Sequence, residues 1–219
     1  MVRLVLLSDT HGLHGDVRVP DGDILVHAGD LSRSGRPREV EAFARFLAFR
    51  PHTHKVVIAG NHDFMFEREP AAAEALLAPV ATYLRDSEVT LMGLRFWGSP
   101  WQPWFHDWAF NLPRGAALAE KWALVPNGID VLITHGPPHG ILDEARYGGP
   151  VGCEALRAAL PQVAPKLHVF GHIHEAYGVQ RHGPTLCVNA STCNLAYAPV
   201  QPPVIVDFEA GACRLVAED

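Results

Sequence analysis

An α/β fold is expected from three features of the sequence. Short apolar runs end abruptly in polar or glycine-containing clusters, helical periodicity lies between those runs, and the texture turns to strand-like alternation after about residue 176. The runs are Arg3 to Leu7 before Ser8-Asp9, Ile24 to Val26 before His27-Ala28-Gly29-Asp30, and Lys55 to Ala59 before Gly60-Asn61-His62-Asp63. Two more follow, Val131 to Ile133 before Thr134-His135-Gly136 and Leu167 to Phe170 before Gly171-His172-Ile173-His174. Runs this short and this rich in Val, Ile and Leu read as strands buried on both faces, with helices as their cover.

The first helix is read from Val40, Phe43, Ala44 and Leu47, which fit the i, i+3, i+4, i+7 pattern; Pro37 suits its first turn and Pro51 ends it. A shorter helix carries Ala72, Ala75 and Leu76, and a later one Leu156, Ala159 and Leu160. Beyond residue 176, Tyr177 to Arg181, Thr185 to Asn189, Val204 to Glu209 and Cys213 to Val216 alternate, with Gly183-Pro184 and Ala210-Gly211 as turns. Since no linker, repeat or low-complexity stretch interrupts this order, residues 1–219 are expected to form one domain.

Hydrophobic residues make up 48% of the chain and charged residues 19%, below the roughly 25% of an average domain, which excludes disorder as the dominant state. The formal net charge of −6 lacks the basic excess that drives binding to a phosphate backbone, so general nucleic-acid binding is not expected. Cys153, Cys187, Cys193 and Cys213 form no C-x-x-C pair and read as reduced, buried thiols. The apolar start Val2 to Leu7 is too short for a signal peptide, and no run approaches the ~20 apolar residues of a transmembrane helix. A cytoplasmic protein without membrane contact is the expectation.

Thirteen histidines stand out, because neutral imidazole is the commonest metal ligand. Asp9 and His11, Asp30, Asn61 with His62 and Asp63, His135, and His172 with His174 each follow a strand candidate. Parallel strands would bring these tips to one rim, where α/β sheets bind ligands. Nitrogen and oxygen donors without thiolate suit Mn, Fe, Zn or a mixed pair. There are too many for one ion, and two ions ~3.5 to 4 Å apart need a bridging carboxylate, for which Asp30 is the candidate. Alternation along extended segments is expected to set Asp9 and His11 on one face, and likewise His172 and His174.

The ordered set Asp9-x-His11, Gly29-Asp30, Gly60-Asn61-His62-Asp63, His135 and Gly171-His172-x-His174 resembles the calcineurin-like metallophosphoesterase superfamily over residues 9 to 174. Ser99-Pro100-Trp101-Gln102-Pro103-Trp104, His135-Gly136-Pro137-Pro138 and Gly171-His172-Ile173-His174-Glu175 are similar to its metallophosphoesterase-domain-containing branch, whose members include cyclic nucleotide phosphodiesterases. The resemblance implies a sandwich of two mixed β-sheets flanked by helices. It also implies one ion on Asp9, His11, His174 and Asp30, and a second on Asn61, His135, His172 and the same Asp30. His62 would stay off the metals, hydrogen-bonding the phosphoryl oxygen or leaving group, with Asp63 orienting its imidazole.

The chemistry expected of such a centre is in-line attack by a metal-held hydroxide on a phosphodiester of a small nucleotide, 2′,3′- or 3′,5′-cyclic. A phosphomonoesterase or nuclease of the same fold is the alternative within that class, and a non-catalytic metal- or nucleotide-binding scaffold the alternative outside it. On the substrate side, the aromatic-rich residues 96 to 110 read mostly as a loop pinned by buried rings, with Trp101 as the ring placed to stack on a base. His139 is a loop residue near His135 that can reach a substrate, and Asn189 either faces the rim or forms an Asx-turn. His27 and His168 lie inside strand runs and read as core residues bonded to backbone, whereas His52, His54 and His182 read as solvated.

Overall fold

The computed structural model describes residues 1–146 and 148–216. Two six-stranded mixed sheets face each other. The first runs Ala212–Leu215, Val204–Glu209, Val2–Leu7, Ile24–Ala28, His54–Ile58, Thr82–Tyr83. Its last four strands are parallel, with Leu4 opposite Ile24 and Ile24 opposite His54, while Val204–Glu209 returns antiparallel to Val2–Leu7. The second runs Gly178–His182, Thr185–Asn189, Leu167–Phe170, Val131–Thr134, Leu94–Ser99, Ser87–Leu91, parallel in its middle and antiparallel at both edges.

Alternation along each strand divides its side chains between two cores. Leu4, Leu6, Ile24 and Val26 meet Phe96, Val131, Ile133, Val169 and Val188 between the sheets. Val5, Leu7, Leu25 and Val57 point the other way, under the helices Pro37–Ala48, Phe64–Arg68 and Pro70–Leu77. Trp97, Leu132 and Phe170 pack beneath Ala116–Trp122 and Glu154–Val163 on the far side. Every interior strand is therefore buried on both faces, as its apolar composition requires. The first helix starts at Pro37 as expected, and the Glu39 carboxylate accepts the Arg36 N–H at 2.9 Å, satisfying one of the exposed donors of its first turn. The hairpin at 210–211 has φ of 49° at Ala210 and 81° at Gly211, the sign pair that a tight two-residue turn needs.

Three expectations are corrected. The stretch 96 to 110 is not all loop: its first residues, 96 to 99, belong to the strand Leu94–Ser99 of the second sheet, with Phe96 in the central core and Trp97 in the outer one. Its partner Ser87–Leu91 and the helix Ala116–Trp122 carried too little apolar periodicity to be read. His52 is buried between the first helix and the His54–Ile58 strand rather than solvated. His27 and His168 are core residues, but their partners are hydroxyls on neighbouring segments, Thr10 at 3.0 Å and Thr134 at 2.9 Å, not backbone groups. All four cysteines are free and buried, and among the described residues no helix is long and apolar enough to cross a membrane.

Candidate metal centre

The strand tips meet where the two sheets share a rim: three come from the first sheet, two from the second, and a bridge between Ser8 and Ser191 ties the sheets together there. Past the strand ends the first two loops keep pairing, with Asp9 N–H donating to Gly29 O at 2.9 Å and His11 N–H to Asp30 O at 2.9 Å. The backbone at these residues is left-handed, φ being 52° at Asp9, 43° at His11, 55° at Asp30 and 69° at His172. For residues other than glycine this costs ~1 kcal/mol or more each, and such strain gathers at functional sites. It also corrects the expected geometry. Asp9 and His11 converge through left-handed turns rather than along an extended strand, and His172 and His174 face different neighbours.

Asp30 sits at the middle of the cluster. Its Oδ2 lies 3.5 Å from His135 Nε2, 3.7 Å from His11 Nε2 and 3.9 Å from His62 Nε2, while Oδ1 accepts the His62 N–H at 2.8 Å. On one side, His174 Nε2 is 3.5 Å from Asp9 Oδ1 and 3.2 Å from His11 Nε2. On the other, His135 Nε2 is 2.8 Å from Asn61 Oδ1, and the His172 ring packs at 5.1 Å from that of His135. Three overlapping groups of donors could each share an ion: Asp9, His11 and His174; Asp9, Asp30 and His135; and His11, Asp30 and His62, so by position alone His62 also lies within reach of a cation.

Backbone carbonyls decide how these rings present themselves. His135 Nδ1–H donates to Ala28 O at 3.0 Å, His174 Nδ1–H to Asn194 O at 3.2 Å and His62 Nδ1–H to Arg33 O at 2.9 Å. Each bond leaves Nε2 aimed inward, the arrangement by which protein groups orient metal-ligating imidazoles. Buried oxygen and nitrogen lone pairs brought this close need a cation or a proton among them. Burial pulls His135 down, yet Asp30 outweighs it and raises the imidazole to about 9; burial pushes Asp30 up, yet His135 and His62 hold it below the ordinary carboxylate range. A metal ion would displace the His135 proton.

The glycines of the motifs leave room for this packing. A Cβ on Gly60 would strike the Asp30 carboxylate and backbone nitrogen, and one on Gly171 would strike the Asp9 carboxylate and the Ser8 hydroxyl. The donor set, the inward Nε2 atoms and the space held open by glycine all fit hard or borderline cations on Asp9, His11, Asp30, Asn61, His135, His172 and His174.

Four expected site residues take other places. Asp63 does not orient His62: its oxygens accept Gly60 N–H at 2.8 Å, Ser32 N–H at 3.0 Å and Ser32 Oγ–H at 2.6 Å, locking two loops together, and the Arg33 carbonyl holds His62 instead. Asn189 is buried, donating to Ile173 O at 2.8 Å and accepting Ser191 N–H at 3.1 Å, so the Asx-turn reading describes it. Trp101 is turned away from the rim, its indole N–H donating to Asp86 at 2.9 Å and its ring lying under Lys121 Nζ at 4.5 Å. His139 is tied to Cys153 O through its backbone N–H and is absent from the cavity wall.

A cavity of about 470 Å³ opens over the cluster, with Asp30, Asn61, His62, His172 and His174 in its floor. Three contributors escaped sequence reading. Ser191 Oγ reaches Asp9 Oδ2 at 2.9 Å, Tyr197 packs edge-on against His11 at 4.8 Å, and Trp108 lies 4.0 Å from the His62 ring. Tyr197 had no signal in the sequence, whereas Ser191 is the first hydroxyl after the Thr185–Asn189 strand and Trp108 lies in the aromatic-rich residues 96 to 110, where Trp101 is the ring expected to face substrate.

The calcineurin-like phosphoesterase family model matches residues 2–176. Human metallophosphoesterase domain-containing protein 1 is 47% identical over 231 residues, covering 94% of this chain and 71% of that protein. The 3′,5′-cyclic adenosine monophosphate phosphodiesterase CpdA of Escherichia coli is 28% identical over 78% of this chain and 61% of its own length. The crystal structure of TT1561 from Thermus thermophilus superposes with a TM-score of 0.63 at 17% identity, covering 98% of each chain, which shows the shared fold. A model match over most of the chain, a relative this similar and a common two-sheet architecture lead to one assignment: the chain belongs to the calcineurin-like phosphoesterase family.

Proposed function

We propose that this protein hydrolyses phosphodiesters of small nucleotides, 2′,3′- or 3′,5′-cyclic species among them, at a dinuclear metal centre on the shared rim. The observation that carries this reading is the position of Asp30, whose one oxygen lies within 3.5 to 3.9 Å of imidazole nitrogens from three different loops. Asp9, His11 and His174 would share one ion with Asp30, and Asn61, His135 and His172 the other. Bound there, Mn, Fe, Zn or a mixed pair would supply Lewis acidity toward the phosphate and lower the pKa of water.

The protein's own residues do the rest. The Ala28 and Asn194 carbonyls fix the tautomers of His135 and His174, so no ring rotation is needed when a phosphoester arrives. His62, held at Nδ1 by Arg33 O, presents Nε2 toward the cavity floor, where a proton on that atom can pass to the departing alkoxide. The E. coli relative's name, a cyclic nucleotide phosphodiesterase, supports the diester class. The central core, which draws on both sheets, supports treating residues 1–219 as one domain.

Hydrolysis of bis-p-nitrophenyl phosphate, p-nitrophenyl phosphate and 2′,3′- and 3′,5′-cyclic nucleotides, each with Mn, Fe or Zn, tests the reading. Diesters are expected to give the higher kcat/KM. A preference for monoesters would replace this reading with a phosphomonoesterase, and no turnover with any metal would leave a scaffold.

A further inference from the structure

Ten large apolar side chains of the described residues are exposed, and four of them gather at the mouth of one cavity: Trp104 at 60%, Phe105 at 48%, Leu195 at 48% and Tyr197 at 45%. They stand on opposite sides of the cluster. Phe105 meets the His172 ring edge-on at 5.5 Å, whereas Tyr197 meets His11 at 4.8 Å and His174 at 5.4 Å. A phosphorus atom beside Asp30 therefore has an aromatic wall on each side.

Neither wall hangs on a loose loop. Trp104 N–H donates to Leu112 O at 3.0 Å, Phe105 N–H to Asn111 Oδ1 at 3.2 Å, and Asn111 Nδ2 to His106 O at 2.7 Å. Opposite them, Tyr197 N–H donates to Asn194 O at 2.8 Å, and the Asn194 side chain accepts from Ala196 and Ala198 at 2.9 and 3.1 Å. Exposed rings on backbone this fully bonded are preorganised, so a ligand between them loses little to ordering the protein.

The charge of the cavity narrows what enters. Among the described residues that line it, Arg114 is the one arginine or lysine, and its guanidinium already donates to Gly152 O at 2.7 Å, Val151 O at 2.6 Å and Glu154 Oε2 at 2.5 Å. Glu175 adds a negative group to the same wall. Among the described lining residues no cation is set aside for a second phosphate, so this wall offers a polyphosphate or a run of nucleic-acid backbone little beyond the floor.

On the reading that a phosphodiester is cleaved beside Asp30, we propose that Trp104 and Phe105 on one side and Tyr197 with Leu195 on the other form the specificity subsite, which takes the flat, uncharged nucleobase of the ester group that stays on phosphorus. Stacking of a base on such rings is worth ~1 to 3 kcal/mol, or roughly 5- to 150-fold in kcat/KM.

Two diesters with one leaving group isolate the subsite: p-nitrophenyl thymidine 5′-phosphate and methyl p-nitrophenyl phosphate, both releasing nitrophenolate from the Mn-loaded protein. The thymidine ester is expected to exceed the methyl ester at least about fivefold in kcat/KM. Trp104→Ala and Phe105→Ala should each reduce that ratio, and Phe105→Tyr should keep it, which separates stacking from collapse of the loop. Equal kcat/KM for the two esters, or a ratio that neither alanine variant moves, would overturn the proposal while hydrolysis itself stands. If neither ester is cleaved, the hydrolytic reading falls, and calorimetric binding of thymidine to the chelator-treated protein decides the subsite. Binding weakened in the alanine variants supports it, and no binding refutes it.

Discussion

His168 offers a stability measurement whose size can be worked out in advance. Its ring is fully buried in the Leu167–Phe170 strand, and burial alone pushes its pKa down to about 3. The hydrogen bonds explain why the neutral form is locked in. Thr134 has one hydroxyl proton, which goes to Gly136 O at 2.8 Å, so at 2.9 Å the same oxygen must accept from His168 Nε2–H. Nδ1 is left without a partner, and protonating it would bury an unpaired donor and a charge together. Unfolded, the same imidazole has a pKa of about 6.5. Because the folded pKa is depressed, the unfolded chain takes up the proton first, and stability is intact above pH 6.5 and lost as pH falls toward 3. One such group removes about 2 kcal/mol by pH 5 and about 4 kcal/mol by pH 3. Urea unfolding with chelator present, at pH 7.5 and pH 5, measures this in the wild type and in His168→Gln, whose amide can still donate to Thr134 but does not titrate. The wild type should lose about 2 kcal/mol more than the variant between the two pH values. An equal loss in both would mean that His168 is protonated in the folded protein, and the hydroxyl assignment would be wrong.

Three further outcomes follow from the rim. Asp30→Ala should strip the protein of both ions at once, since it removes the one carboxylate oxygen that lies beside both His11, on the side of the first ion, and His135, on the side of the second; metal analysis that still finds two ions per chain would show that another residue bridges. His62→Ala should retain metal while slowing esters with poor leaving groups by ~10² to 10⁴, and slow nitrophenyl esters far less. Equal losses for both, in steady-state rates, would assign His62 to positioning. Ser191→Ala removes the Oγ–H that supports Asp9 and should weaken metal binding by about 10- to 100-fold in a calorimetric titration; unchanged affinity would mean that the Ser191 hydroxyl does not set Asp9.

The strands and the ligand candidates were legible because the same physics writes both. A strand buried on two faces must be continuously apolar, and the loop that follows it must turn at once, so Gly29-Asp30 or Gly171-His172 after a Val- and Ile-rich run marks a rim position. Contacts made across the fold leave no such local trace. Trp101 and Trp104 are three residues apart in one Pro-rich stretch, yet Asp86 and Lys121 turn the first inward while the second stands over the cavity. Asp63 follows His62 directly, but its partners come from the loop at residue 32. Tyr197 reaches His11 only because the second sheet lies against the first at Ser8 and Ser191, a register that no segment of the chain announces. The Ser87–Leu91 strand was missed for the opposite reason, its edge position allowing Glu88 and Thr90 where an interior strand would need apolar residues.

The left-handed backbone at Asp9, His11, Asp30 and His172 connects these two halves of the problem. Glycine would adopt those angles without strain, and glycine does occupy the neighbouring positions 12 and 29, at φ of 77° and 99°. At the four strained positions the chain carries ionisable side chains instead, and the strain is offset locally: His11 N–H donates to Asp30 O, Asp9 N–H to Gly29 O, and His172 N–H to the Asp9 carboxylate at 3.0 Å. Each bond joins one donor loop to another. The loops therefore hold one another in conformations none would keep alone, and the convergence of Asp9, Asp30, His11 and His172 is a property of the assembled rim. Two buried carboxylates and several bare imidazole nitrogens are stable in such a rim only with positive charge among them, which is why strain, mutual repulsion and affinity for cations occur at the same residues.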